Sequence, residues 1–211
     1  MLGLLRQNNT IDYMEEIGEI KPLGNSLREG DNKMDYKEEI LKFLEKYKSY
    51  GFKTLKNQTI LINRHNENGV EDWKHIIYHP LDKQGIDLLE KERNKSLPLK
   101  YKEFLSYCNG CYLFNGNFYI YGKAFLEKGM SREEMLYQPY DLIEESEDPP
   151  CKIFDDLFYI GGTPETIFVL AIDESVVELK RRSGKLVSSY ESFDSWLTKK
   201  LRTTEMLSFH E

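Results

Sequence analysis

The alternation of apolar and polar side chains is clearest between Leu97 and Gly122. Apolar residues recur there at helical spacing on one face, while lysine, glutamate and serine occupy the other. These apolar positions are Leu97, Tyr101, Phe104, Leu105 and Cys108. Pro98 favours a sharp helix start, because its ring suits the first turn. Asn109-Gly110 then predicts the end of the helix, Asn115-Gly116 predicts a turn, and residues 118–121 predict a short aromatic strand.

Similar patterns predict further elements along the chain. Asp35 and Glu38 have the spacing of a capping box, and the apolar face that follows predicts a helix ending at Gly51. Two more helices are predicted, one over 81–93 and one beginning at Ser192 with Leu201 on its apolar face. Short helical turns are predicted within 124–130 and 132–136, and the polar residues 63–72 predict a loop. Strands are predicted at 59–62, 76–78, 157–160, 167–172, 176–181 and 185–189. This mixture predicts an α+β fold.

The domain organisation follows from the first strong helix signal at Met34. A chain of 211 residues favours one domain, which we place at residues 34–203, followed by a tail at 204–211. Residues 1–33 are rich in glycine and polar residues and show no periodicity. Two interpretations stay open for them: a genuine flexible arm, or a segment upstream of a true start at Met34. Glu29-Gly30-Asp31 can be encoded by a purine-rich stretch resembling a ribosome-binding site, which favours the second.

Composition narrows the class of protein. The net charge of −7 argues against a general nucleic-acid binder, which is usually basic. No apolar run approaches the roughly 20 residues that a membrane helix needs. An odd count of three cysteines does not suggest a secreted disulfide framework. These features predict a cytoplasmic protein without a membrane segment.

Three short motifs resemble catalytic or metal sites but lack essential parts. Cys108 and Cys111 form a CxxC pair at the end of the predicted helix, whereas a redox pair needs the helix N-terminus. His75 and His79 lie in an extended segment, which would hold them about 13 Å apart, and we expect both to be partly exposed. Gly161-Gly162 follows a strand without the other residues of a phosphate loop and predicts a turn. No nucleophile–base pair stands out, so we predict no catalysis, no metal and no cofactor.

The strongest local charge feature is the segment between Asp141 and Asp156, which we expect to be a charged loop. It contains seven acidic residues and one base, Lys152, a net charge of −6. Such a field can steer a basic partner and raise its association rate, although charge runs are more often solvated surface. The predicted contact residues are Asp141, Glu144, Glu145, Glu147 and Asp148.

Several motifs, in order, resemble one known family. They are LP at 97–98, YKEFL at 101–105, NG at 109–110, YIGG at 159–162, AID at 171–173 and SFDSWL at 192–197. Together they are similar to the SUKH superfamily, which includes fungal cell-wall (glucan) synthesis regulators and bacterial immunity proteins. The resemblance runs from about Asp35, or at least Gly85, to Leu201. The N-terminal 33 residues and Cys111 depart from the common pattern.

The resemblance implies a fold and a role. The implied fold is a mixed, largely antiparallel sheet with helices packed beside it. The implied role is an immunity protein that binds and blocks a cognate toxin domain, often a nuclease, by stoichiometric occlusion. The alternative is a regulatory interaction module without a toxin partner. The family shares no catalytic residues that could be carried over to this chain.

Overall fold

The computed structural model describes residues 34–67 and 70–208. The helices are α1 (Tyr36–Phe43), a 3-10 helix (Glu45–Tyr50), α2 (Lys83–Arg93), α3 (Leu99–Tyr107), α4 (Arg132–Leu136), α5 (Leu142–Glu147) and α6 (Phe193–Ser208). The strands are β1 (Phe52–Thr54), β2 (Ile60–Glu67), β3 (Val70–Ile77), β4 (Cys111–Leu113), β5 (Phe118–Ile120), β6 (Phe158–Gly162), β7 (Thr166–Leu170), β8 (Val176–Lys180) and β9 (Leu186–Tyr190).

The nine strands of the described residues form a single sheet in chain order, with every neighbouring pair antiparallel. Together with the helices, this sheet confirms the predicted α+β class. A parallel contact occurs as an isolated bridge between Gly122 and Asp141. Antiparallel strands can be joined by short connections, and most consecutive strands here are joined in that way. Most of the sheet is therefore a meander.

The main hydrophobic core lies between the sheet and the helices α1, α2, α3 and α6. Trp196 of α6 is fully buried, and its ring centre lies 5.9 Å from that of Phe118 in β5 and 5.1 Å from that of Phe168 in β7. Alternation along β2 sends Ile60 and Ile62 to this core and Leu61 to a smaller cluster on the opposite face.

Capping residues and glycines in the sequence predicted several helix ends correctly. Asp35 accepts a hydrogen bond from the Glu38 backbone N–H at 2.9 Å, which confirms the start of α1. Gly51 ends the segment as predicted, but α1 stops at Phe43 and a 3-10 helix takes over. The last helix continues to Ser208, beyond the domain end predicted at residue 203, and Thr204 is buried. Residues 1–33, and with them the two interpretations of the N-terminus, lie outside the described residues.

Three predictions of local structure are wrong, and one strand was not predicted. Residues 63–67 and 70–72 belong to strands β2 and β3 rather than to a loop, because cross-strand pairing holds polar side chains that face solvent. Residues 111–113 form strand β4, where no element was predicted. Residues 124–130 contain a turn and no helix. Gly161-Gly162 belongs to β6: a Cβ on Gly161 would lie 2.2 Å from the Tyr119 carbonyl oxygen, so glycine permits close pairing with β5.

Candidate functional site

The first part of the acidic segment forms helix α5 rather than the expected loop, and Asp141 caps that helix. Residues 148–156 form a loop, as expected. The Oδ1 of Asp141 accepts hydrogen bonds from the backbone N–H of Ile143 at 2.8 Å and of Glu144 at 3.4 Å. Its Oδ2 accepts from the Ala124 N–H at 3.0 Å and pairs with Lys123 Nζ at 3.2 Å. The Asp141 side chain is only 6% exposed. Asp141 is therefore committed to capping the helix and holding the adjoining loop.

The other four predicted contact residues lie close together on and after α5. Glu144, Glu147 and Asp148 are exposed. Glu145 is half-buried, and its Oε2 accepts a hydrogen bond from the Tyr121 hydroxyl at 3.3 Å. The structure thus provides an acidic edge made of Glu144, Glu147 and Asp148, with Glu145 linking this edge to the sheet.

Beside the acidic edge lies a cavity of about 230 Å³, which we call the tyrosine cleft. It is lined by Tyr119, Tyr121, Tyr140, Glu145 and Arg181. The ring of Tyr140 meets those of Tyr119 and Tyr121 edge-on, with centroid distances of 5.6 and 6.2 Å. Tyr140 is exposed, so the cleft presents an aromatic side chain to solvent.

Strand register and a glycine position these tyrosines. Tyr119 and Tyr121 are two residues apart, so an extended chain points both to one face of the sheet. Tyr119 is opposite Gly162 of β6. A Cβ on Gly162 would lie 3.0 Å from the Tyr119 hydroxyl and 3.2 Å from Arg181 Nη2. Glycine at this position therefore leaves room for the phenol and the guanidinium to meet.

The hydroxyl groups at the base of the cleft are neutral and connected. The Tyr121 and Tyr159 hydroxyls form a hydrogen bond of 2.7 Å. Burial, followed by this bond, raises the pKa of Tyr121 well above its usual range, and burial raises the pKa of Tyr119 to about 12. Both phenols therefore stay protonated at neutral pH and can donate or accept hydrogen bonds. Tyrosine and arginine together are typical of residues that dominate protein–protein binding energy.

Little in the sequence indicates this cleft. The aromatic strand at 118–121 was visible, but Tyr140, Tyr159 and Arg181 come from separate elements that only the fold brings together. The available signal was the two-residue spacing of Tyr119 and Tyr121 beside a glycine-containing strand.

The cysteine pair has the character of core packing. Cys108 and Cys111 are both buried. Burial raises the pKa of both thiols, so neither is a ready thiolate. Among the described residues, no group of three or more histidine, cysteine, aspartate or glutamate side chains could hold a metal ion.

The expectation of two partly exposed histidines is wrong for His75. Its side chain is 1% exposed, and its Nδ1 accepts a hydrogen bond from the Phe114 N–H at 3.2 Å. Burial, followed by the charge of Lys74, lowers the pKa of His75 to about 3. His79 is intermediate in exposure, as expected.

The fold and the cleft first indicate a class of protein, one that binds other proteins. An antiparallel sheet carrying an aromatic cleft with an acidic edge is suited to binding another protein. The model of the SMI1 / KNR4 family (SUKH-1) matches residues 80–199, more than half of the 211-residue chain. The chain belongs to this family, which confirms the SUKH resemblance and is consistent with an immunity protein or an interaction module. None of the curated proteins compared with the chain matches it.

The matched region spans both α5 and the tyrosine cleft. Within the part of the chain that the structure describes, no helix has the length and apolar character needed to cross a membrane.

Proposed function

We propose that this chain is a cytoplasmic immunity protein that neutralises a cognate polymorphic toxin domain, such as a nuclease. The observation that carries the proposal is the exposed acidic edge beside the tyrosine cleft. SUKH membership supports it, because bacterial members of the superfamily include immunity proteins. The mechanism is binding alone: one immunity protein covers one toxin domain and excludes its substrate.

The two parts of the surface have different physical roles in this proposal. The acidic edge attracts a basic nuclease over a distance of about 10 Å at moderate salt and raises the association rate. The tyrosine cleft supplies aromatic contact area, which slows dissociation. Asp141, although acidic, acts by holding α5 in place through its bonds to Ile143 and Ala124.

Co-expression tests the proposal. The toxin domain encoded beside this reading frame is expressed in bacteria with or without the chain, and growth is measured. We expect the chain to restore growth, and a variant carrying Glu144→Gln, Glu147→Gln and Asp148→Asn to restore it less well. A matched control makes the same three-charge change at Glu38, Glu39 and Glu45, which are exposed on other elements.

Two outcomes would contradict the proposal. One is a neighbouring toxin domain that stays lethal when the chain is well expressed. The other is a chain that has no neighbouring toxin and binds several unrelated cellular proteins. The second result would favour the alternative, a regulatory interaction module.

A further inference from the structure

The turn between β8 and β9 is basic, although the chain as a whole is acidic. Residues 180–185, which we call the basic turn, contain Lys180, Arg181, Arg182 and Lys185. Among the described residues, the one ion pair of this turn joins Lys180 to Glu165 at 3.7 Å, and both side chains are largely exposed. Exposed pairs of this kind contribute little free energy. The other three cationic residues of the turn have no ion pair among the described residues, so the turn keeps most of its positive charge.

Arg181 is the anchored member of the basic turn. Its guanidinium donates hydrogen bonds to the Tyr119 hydroxyl and, at 3.3 Å, to the Thr163 carbonyl oxygen. No carboxylate within residues 34–67 or 70–208 forms an ion pair with it, and its Nε has no hydrogen-bond partner there. The Tyr159 side chain also forms a hydrogen bond with Arg181. The side chain is therefore held in position, with one buried donor, Nε, unused.

Arg181 lines two cavities. One is the tyrosine cleft, where its guanidinium meets Tyr119, and the other is a cavity of about 320 Å³ lined also by Lys180, Arg182, Ser183, Pro164 and Glu165. Three cationic residues and one acidic residue line the second cavity, so its charge favours an anion.

The neighbouring surface decides which anion we assign. Arg181 also lines the tyrosine cleft, and tyrosines are enriched in protein–protein interfaces, so we assign a carboxylate carried by a protein rather than a free phosphate. The planar fork of arginine also matches the geometry of a carboxylate. A cationic side chain would be repelled by the turn itself.

We propose that the basic turn, anchored by Arg181, binds a carboxylate side chain in an acidic segment of a protein partner. This site is separate from the acidic edge and does not require the partner to be a toxin. Since Glu145 and Arg181 lie in the same cleft, a partner that uses both surfaces must present basic and acidic groups in a fixed order. Such a pattern sets the orientation of the complex.

Peptide titration of the full chain tests this site. An acetylated glutamate-rich octapeptide, a lysine-rich octapeptide and inorganic phosphate are added at low ionic strength, and binding is followed by NMR shifts of the arginine side chains. We expect the glutamate peptide alone to bind. Arg181→Gln should weaken it about tenfold, the loss of a charge-assisted hydrogen bond. Arg182→Gln should weaken it less, and because Arg182 is exposed, this variant separates a loss of binding from a folding defect.

Arg132→Gln is the matched control, because Arg132 is an exposed arginine on α4. Helix α4 is tied to the far end of the sheet by a hydrogen bond from the Asn57 N–H to Glu134. The proposal is overturned if the glutamate peptide does not bind, or if Arg132→Gln weakens it as much as Arg181→Gln. Phosphate binding as tight as the peptide would instead show a general anion site and overturn the carboxylate assignment. Growth rescue by the wild-type chain tests the proposed function separately, so either proposal can fail alone.

Discussion

Replacing His75 by glutamine should remove one component of the acid sensitivity of this protein. The imidazole lies in β3 with its ring centre 4.9 Å from that of Phe114 and 4.8 Å from that of Tyr47. Its Nδ1 accepts the Phe114 N–H, which requires the neutral ring. Glutamine can offer an amide oxygen to the same N–H and does not titrate.

The pKa values set the size of the effect. The pKa of His75 falls from 6.5 to about 3 in the folded chain, so the unfolded chain binds more protons between these values. The stabilising contribution of neutral His75 is therefore present above pH 6.5 and is lost progressively as the pH falls towards 3. Because protonation is linked to unfolding, the free energy of unfolding falls by about 2 kcal/mol between pH 7 and pH 5.

Urea unfolding of the wild type and of His75→Gln at pH 7 and pH 5 measures this contribution. Other titrating groups affect both proteins, so the difference in unfolding free energy isolates His75. We expect the advantage of the wild type to shrink by about 2 kcal/mol at the lower pH. An unchanged difference would refute the argument that His75 is neutral and buried in the folded state.

Two further predictions concern buried groups. Lys200 Nζ lies 2.8 Å from Glu178 Oε1 with both side chains largely buried, so Lys200→Met should lower the unfolding free energy by about 3 kcal/mol in a denaturant titration. Unchanged stability would show that Glu178 needs no cationic partner. Ellman's reagent should label Cys151 in the native protein, and Cys108 and Cys111 only after unfolding, because both are buried. Equal labelling rates for all three would contradict the buried positions.

The elements that the sequence predicted well are those whose signals are local. Helix α3 has Pro98 before its first residue and an apolar face, and the structure places it at Leu99–Tyr107. Strand β7 is an apolar run, and all five of its residues are buried, as expected for a central strand. Such information lies within about ten residues and does not depend on the rest of the fold.

The β2–β3 hairpin was missed because its hydropathy pattern is weak. Arg64 and Asp72 are exposed, and residues 63–67 are all polar or charged, so the sequence shows no alternation of apolar and polar positions in the second half of β2. Pairing across the strands, with Arg64 opposite Trp73, defines the element instead. The dipeptide Asn68-Gly69, which lies outside the described residues, was the missed hairpin signal.

The candidate site was predicted in part. Charge density located Glu144, Glu147 and Asp148 on an exposed edge, but charge alone could not show that Asp141 is buried as a helix cap. The tyrosine cleft depends on long-range strand order, which brings Arg181 to Tyr119 across 62 residues of chain.

Binding through the acidic edge is tested by the dissociation constant for a candidate toxin domain encoded beside this reading frame, measured at low and high salt. We expect tight binding that weakens with salt. We also expect that the Glu144, Glu147 and Asp148 triple variant binds about tenfold more weakly at low salt with a flatter salt dependence, the result of losing three peripheral charges. The Glu38, Glu39 and Glu45 variant should bind like the wild type. Identical affinity and salt dependence for all three proteins would contradict binding through the acidic edge.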